Sequence, residues 1–515
     1  LLRKLEKPHR HTAALTTAWP QAWPKDNAAR CATLLLNTLG VLEGPARELL
    51  RLAGVLSAHD LPLDFAANCL ALGGLSADDH REDPFTILLN EPQEEPLTPA
   101  TAREYVEQGA ASLAAHALAE RTDQGIRLYH LAVAALTQVV PASPRQSLLR
   151  EGALQALYVI AENSQTTQDW RPLAALAPHG RKLIEDLRDR LIESEDSPAE
   201  ITGRIRLAMY LADLDLRHGE NARALVTYRA ASAYLVRAMA IDPQNGSRQR
   251  DFARVQEQLG DLLLAKGDAA TALDHYRKSL GIRSFLAKQE AQRLASLKDP
   301  LRLHGKIGQI QQQQNDLAGA LQSQQAAHAL LGKLALLSPG EPDPRFDLAA
   351  SHARLAELHI SLHQAAAAMT ELELALPVFT RLAELHPDTV RFVRAPVAIH
   401  NRIGDLLCAQ DDLSGALNRY RMAQAIAGYA VQLEPGNPEA QRDVAVCHNH
   451  IGDTLMSLDD QAEANEHYEA FLAIAKHPAN AEAFAGLRRR DIAAVHIKLG
   501  RSLETAKDIA AALEH

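Results

Sequence analysis

Between residues 200 and 515 the apolar positions fall on helical faces, and the faces repeat. Around Gly452, the residues Val444, Cys447, Ile451 and Leu455 are spaced to form one stripe along a helix, the side that has to be buried. The stripe ends at Asp459-Asp460, a polar pair that breaks one helix and caps the next. Corresponding turns stand at Gly267-Asp268, Asn315-Asp316 and Asp411-Asp412. The pattern therefore predicts a succession of units, each a helix, a tight turn and a second helix.

The period can be read directly. "RIGDLLCAQDDLSGALNRY", residues 402 to 420, and "HIGDTLMSLDDQAEANEHY", residues 450 to 468, match at a constant offset of 48. A small residue recurs at the same interval at Ala212, Gly260, Gly308, Ala356, Gly404, Gly452 and Gly500. Twelve residues after each stands an alanine: Ala224, Ala272, Ala320, Ala368, Ala416, Ala464 and Ala512. Four further on is usually a tyrosine (Tyr228, Tyr276, Tyr420, Tyr468), with Gln324 and Leu372 as departures. A glycine in one helix and an alanine in the next let two backbones approach closely, and the tyrosine ring covers the crossing. Neighbouring pairs must then stack to bury what remains.

This constellation of small residue, turn, alanine and aromatic resembles the tetratricopeptide repeat, whose usual length is about 34 residues. The family's proline between units is matched at Pro243, Pro339, Pro387 and Pro435. Two features depart from the family: a histidine replaces the tryptophan near the start of the first helix, and each unit is longer by about 14 residues. Fourteen residues are about four helical turns, or two per helix, so the inward face is preserved. The resemblance covers residues 200–515, with 146–199 expected as a first irregular helical pair or cap. It implies an all-α, TPR-like α/α superhelix of 48-residue helix-turn-helix repeats that binds a protein or peptide.

Residues 28–145 do not follow the period. "ARELLRLAGVLSAHDLPLDFAANCLAL" predicts two short amphipathic helices joined by a proline-containing turn, and "TAREYVEQGAASLAAHALAER" a third helix. "TDQGIRLYHLAVAALTQVV" predicts a turn, a short β-prone stretch and another helix, and "DDHREDPFTILLNEPQEEPLTP" an exposed acidic insertion. The order is similar to the winged-helix part of NB-ARC-like signal-transduction ATPases of the STAND class, in which a nucleotide-binding core precedes a winged helix and tetratricopeptide repeats. Leu49-Leu50-Arg51-Leu52-Ala53, Leu61-Pro62-Leu63 and Leu128-Tyr129-His130-Leu131 carry the likeness. The resemblance implies a small winged-helix-like domain over 28–145. It also implies that ATP or ADP binds through an upstream domain, with His130 at its phosphates, although Leu131 stands where the family prefers aspartate. Residues 1–27 are then a linker or helical tail of that domain. The chain opens at Leu1 without a methionine, so upstream sequence is expected.

Composition narrows the partners. Over 515 residues, 64 acidic side chains outnumber 54 basic ones for a net charge of −10, which disfavours nucleic acid or an anionic membrane and favours a protein or peptide ligand. Cys31, Cys69, Cys408 and Cys447 form no CxxC pair, so neither a disulfide framework nor a zinc ribbon is indicated and a reducing cytoplasm is the expected setting. No apolar run reaches the ~18 residues that a membrane span needs.

The catalytic motifs GxxxxGK[ST], HExxH, GxSxG and GxGxxG are missing from the sequence, so no catalytic residue and no enzyme activity is expected. A histidine ladder, His304, His352, His400, His448 and His496, follows the period. It reads either as a metal or pH-sensing array or as half-buried packing. Equivalent residues of successive units stand roughly 10 Å apart, too far to share one ion, and packing is the expected role. Cys447, His448 and His450 diverge around one helix, so no metal site is expected there. Arg488–Arg490 read as a solvated cluster, and Trp19 and Trp23 as staples of a linker.

Two further rows are candidates for partner recognition. Two residues before the small position stand Lys306, Arg354, Arg402, His450 and Lys498; one after it stand Asp261, Glu357, Asp405 and Asp453. The family likeness sets these rows, with Asn401 and Asn449 beside them, along the ligand groove. The alternative is a set of intrahelical ion pairs, Arg402 with Asp405 and Arg354 with Glu357, on a solvated face. The chain is thus expected to be the sensor and partner-binding region of a STAND-type signalling protein that forms a ligand-induced homo-oligomer. The alternative is a stand-alone scaffold without nucleotide coupling.

Overall fold

The computed structural model describes residues 44–56, 60–72, 99–123, 125–129, 144–185, 198–289, 294–476 and 488–505, together with positions 38, 41, 42 and 187. Contacts divide the chain into two compact units, Leu1–His275 and Tyr276–His515.

The first unit opens with α1 (Gly44–Val55), β1 (Leu61–Pro62), α2 (Leu63–Leu72), α3 (Pro99–Ala115), β2 (Ala119–Thr122) and β3 (Gly125–Leu128). β3 is the middle strand of a three-stranded antiparallel sheet, pairing Ile126 with Leu61 and Leu128 with Ala119. Leu49, Leu50 and Leu52 of α1 and Val106, Ala110 and Leu113 of α3 are buried. Gly109 lets α3 approach α1, since a Cβ there would stand 2.5 Å from the Pro45 carbonyl oxygen. The third helix stops earlier than its sequence predicts. Ala117 takes φ +55, a left-handed conformation that ends the helix, and Ala119–Thr122 become a strand. The acidic insertion, His130, Trp19 and Trp23 lie outside the described residues.

The helical array follows. α4 (Pro144–Thr167) and α5 (Arg171–Leu183) precede α6 (Pro198–Arg217), α7 (Asn221–Ile241), α8 (Gly246–Ala265) and α9 (Ala269–Gln289). Then come α10 (Leu294–Gln313), α11 (Leu317–Leu337), α12 (Pro342–Ser361), α13 (Ala365–Leu385), α14 (Val390–Cys408) and α15 (Leu413–Leu433). α16 (Pro438–Ser457), α17 (Gln461–Lys476) and α18 (Arg488–Thr505) complete the described residues. Six first helices begin at 198, 246, 294, 342, 390 and 438, which reproduces the 48-residue period. The fold is all-α apart from the small sheet, built of TPR-like helix pairs: within the second unit the successive helices from α10 to α18 pack on one another.

The turns explain the polar pairs. Asn315, Asp411 and Asp459 take φ of 60, 66 and 62, the left-handed region that short polar side chains tolerate. The next residue caps the second helix: Asp316 and Asp412 each accept the N–H three residues on, at 2.9 Å, a bond typically worth about 1 kcal/mol. At the crossings, Tyr420 covers Gly404 and Tyr468 covers Gly452. A Cβ on either glycine would lie 2.5 or 2.7 Å from the ring. Ala416 and Ala464 are fully buried, and Cys447, Ile451 and Leu455 of the apolar stripe are buried as the pattern requires.

Candidate functional site

In the second unit, the two charged rows meet between repeats. Arg402 on α14 reaches back to Glu357 on α12, Nε to Oε1 at 2.5 Å, and forward along its own helix to Asp405 at 3.4 Å. His450 on α16 lies 3.5 Å from Asp405, and Lys498 on α18 lies 2.7 Å from Asp453 on α16 and 2.9 Å from the side-chain Oδ1 of Asn449. Each pair joins the basic side chain of one unit to the acid of the unit before. The intrahelical alternative is met for Arg402 with Asp405, while Glu357 pairs with Arg402 across units and not with Arg354.

The tyrosines belong to the same construction. The Tyr420 hydroxyl donates to Asp405 at 2.8 Å and that of Tyr468 to Asp453 at 2.7 Å. In the first unit Tyr228 makes the corresponding bond to Asp213, which also receives Arg254 at 2.6 Å. The next unit's basic side chain then stands over the ring. His450 stacks on Tyr420 with centroids 4.9 Å apart, the Lys498 ammonium is 5.9 Å from the Tyr468 centroid, and that of Lys306 is 5.4 Å from Tyr276. Burial, followed by the carboxylate alongside, pushes the Tyr420 phenol far above its ordinary range; burial and its Asp453 bond do the same for Tyr468. Both are neutral donors at any ordinary pH. Sequence reasoning noted the cation, acid and tyrosine rows separately; their shared period is the signal that could have joined them.

Asn401 lies in the packed interior and not on the exposed face of its helix. It is 8% exposed, and its side chain meets the Cys447 thiol at 3.7 Å. One residue before Arg402 on a helix is about 100° away, which turns Asn401 into the stack while Arg402 faces out. Arg354 keeps an exposed edge and has no ion pair among the described residues. Crowding by the surrounding helices lowers its pKa, against the pull of Asp347.

The histidine column runs between second helices. His352 is 2.6 Å from Glu371 and its ring edge meets His328 at 4.3 Å between centroids; His448 is 2.9 Å from His467 and within reach of Gln424. Burial, and then neighbouring His467, hold His448 at about 4, and burial lowers His304, His400 and His467. Burial pushes the adjacent Cys447 thiol up to about 12, so it stays protonated. Among the described residues, no three His, Cys, Asp or Glu side chains are grouped to hold a metal, and no helix is long and apolar enough to cross a membrane.

No protein-family model matches the chain, and no curated protein matches it. Among solved structures the chain is similar to a signal transduction ATPase with numerous domains that carries a tetratricopeptide repeat sensor, from Pyrococcus horikoshii. The identity is 10%, the TM-score 0.39, and the match covers 97% of this chain and 69% of that one. It is also similar to the apo form of RapI, at 13% identity and TM-score 0.33 over 60% of this chain and 94% of that one. A third is the C-terminal part of a TPR repeat-containing protein from Cytophaga hutchinsonii, at 14% identity and TM-score 0.34 over 65% and 99% of the two chains.

Proposed function

We propose that the repeats bind a protein or peptide along the row of first helices, and that the chain serves as the sensor and partner-binding region of a STAND-type signalling protein. The observation that carries the binding role is the polar strip from Glu357 through Arg402, Asp405 and Asp453 to Lys498. Its members hold one another, yet Arg402, Glu357 and Asp453 remain 48%, 46% and 42% exposed. A carboxylate offers about four acceptor sites and a guanidinium five donors, so groups engaged in one or two bonds retain capacity for a polypeptide backbone. Exposed ion pairs of this kind contribute about 0–1 kcal/mol to stability, which leaves the strip free to exchange partners.

The switch role draws on the described elements between Gly44 and Leu128. Their order, helix, strand, helix, helix, strand, strand, with a three-stranded antiparallel sheet, supports a winged-helix reading, and α4 and α5 stand between it and the 48-residue repeats. In this reading ligand on the repeats is relayed through the winged helix to an ATP- or ADP-binding domain, and the assembly oligomerises.

The binding role is tested by selecting random peptides on the chain and titrating them against a variant carrying Arg402→Glu and Asp453→Lys. Binding weakened about tenfold or more at low salt is expected; unchanged binding would place the ligand elsewhere. Light scattering of the complete protein with ATP and a selected peptide tests the switch. Assembly that needs both supports it, and a fixed mass in every condition leaves a scaffold without nucleotide coupling.

A further inference from the structure

The unit formed by α10 and α11 breaks the ladder at two places together. Gln324 stands where Tyr420 and Tyr468 cover their glycines, and Gln309 stands where Asp405 and Asp453 accept the phenol proton. Arg354, the cation of the following unit, is left with neither ring nor acid at that place. Between α10, α11 and α12 this leaves an open pocket of about 650 Å³. Gly308 lines it uncovered: the nearest atom to a Cβ placed there is Ser323 Cβ at 3.4 Å, and Gly305, one turn earlier, has nothing within 4 Å. The unit with the other departure is closed, because Leu372 fills the space and is 1% exposed.

We propose that this pocket receives a tyrosine side chain of a polypeptide ligand, in the place that the protein's own tyrosines hold in neighbouring units. The inference rests on the peptide-binding reading above and names the side chain that the groove selects. Leu301, Ala320, Ala327 and Leu331 give the pocket apolar walls for a ring. Gln309 offers a carboxamide to the phenol hydroxyl. Arg354 stands in the row from which Lys306 and Lys498 approach their rings at 5.4 and 5.9 Å. The Nε2 of Gln324, which also lines the pocket, is buried without a hydrogen-bond partner and awaits an acceptor such as the phenol oxygen or a ligand carbonyl. Asp347 and Glu357 at the lining oppose a ligand carboxylate, and Arg354 opposes a ligand amine. A neutral ring with a polar end satisfies all of these groups.

The test uses peptides selected at random on the full chain. Their affinities are measured against the unchanged protein, Gln324→Tyr and Arg354→Ala, with circular dichroism as a check of folding. Selected peptides are expected to carry a tyrosine whose replacement by alanine weakens binding about tenfold or more. Gln324→Tyr, which fills the pocket from within, is expected to weaken them as much, and Arg354→Ala about two- to fivefold. If Gln324→Tyr does not fold, Gln324→Leu, which copies Leu372, takes its place. Peptides that lack tyrosine, or that bind the filled variant undiminished, overturn the pocket and leave the groove standing. Failure to select any peptide overturns both.

Discussion

The hydroxyl of Tyr468 donates to Asp453 at 2.7 Å while the ring of the same tyrosine seals Gly452, so one side chain closes the helix crossing and anchors the charged row outside it. Tyr420 repeats this with Asp405 and Gly404. The packed interior and the polar strip are therefore mechanically joined.

The crossing is the more sensitive part. Gly404→Leu drives a side chain into the Tyr420 ring, and overpacking of this kind costs about 1–3 kcal/mol. Arg402→Ala removes exposed ion pairs and costs less than about 1 kcal/mol. Thermal melts of the two variants should separate clearly, and equal losses would mean that the helix register is wrong.

Tyr468→Phe keeps the ring over Gly452 and removes only the bond to Asp453. A loss of about 1 kcal/mol is expected, because the carboxylate is half exposed, keeps Lys498 and can recruit water. Denaturant titration measures it, and a loss as large as that of Tyr468→Ala would assign the hydroxyl far more weight than the ring.

Acid should destabilise the repeats before the carboxylates titrate. His448 in the folded chain titrates at about 4, while an unfolded histidine titrates near 6.5. Between those values the unfolded chain takes up a proton that the folded chain refuses. The histidine's contribution is therefore present above pH 6.5 and is lost as pH falls toward 4. Burial lowers His304, His400, His450 and His467 in the same direction. Melting temperature should fall from pH 7 to pH 5, and less steeply in His448→Gln. Identical slopes would remove His448 from the account.

Much of this architecture is legible in the sequence because helix, turn and crossing are local. The period, the aspartate pairs, the alanines and the tyrosines each act within one unit, and the helices begin where the period puts them. The partner of Arg402 is not local. Glu357 lies 45 residues earlier, and their meeting depends on how one helix pair seats on the next, which no stripe within a unit encodes. Asn401 illustrates the same limit at shorter range, since a rotation of one residue separates the exposed face of the helix from the interior. The end of α3 was missed for a different reason: alanine-rich sequence continues past Ala115, and only the left-handed turn at Ala117 stops the helix. The pocket at Gln324 was visible as a departure from the tyrosine row, but its emptiness depends on Gly305, Gly308 and Gln309 acting together.

The pairs Arg402 with Glu357, His450 with Asp405 and Lys498 with Asp453 all span the same 45 positions, from the end of one first helix to the next. Duplication or excision of 48 codons anywhere in this stretch would regenerate an equivalent junction without any compensating substitution. Such an array can change its length by recombination while its contacts stay in register. The Gln324 unit is the exception: losing it would shorten the array and erase this recess together, so ligand choice and array length would be inherited as separate traits only while that unit is kept.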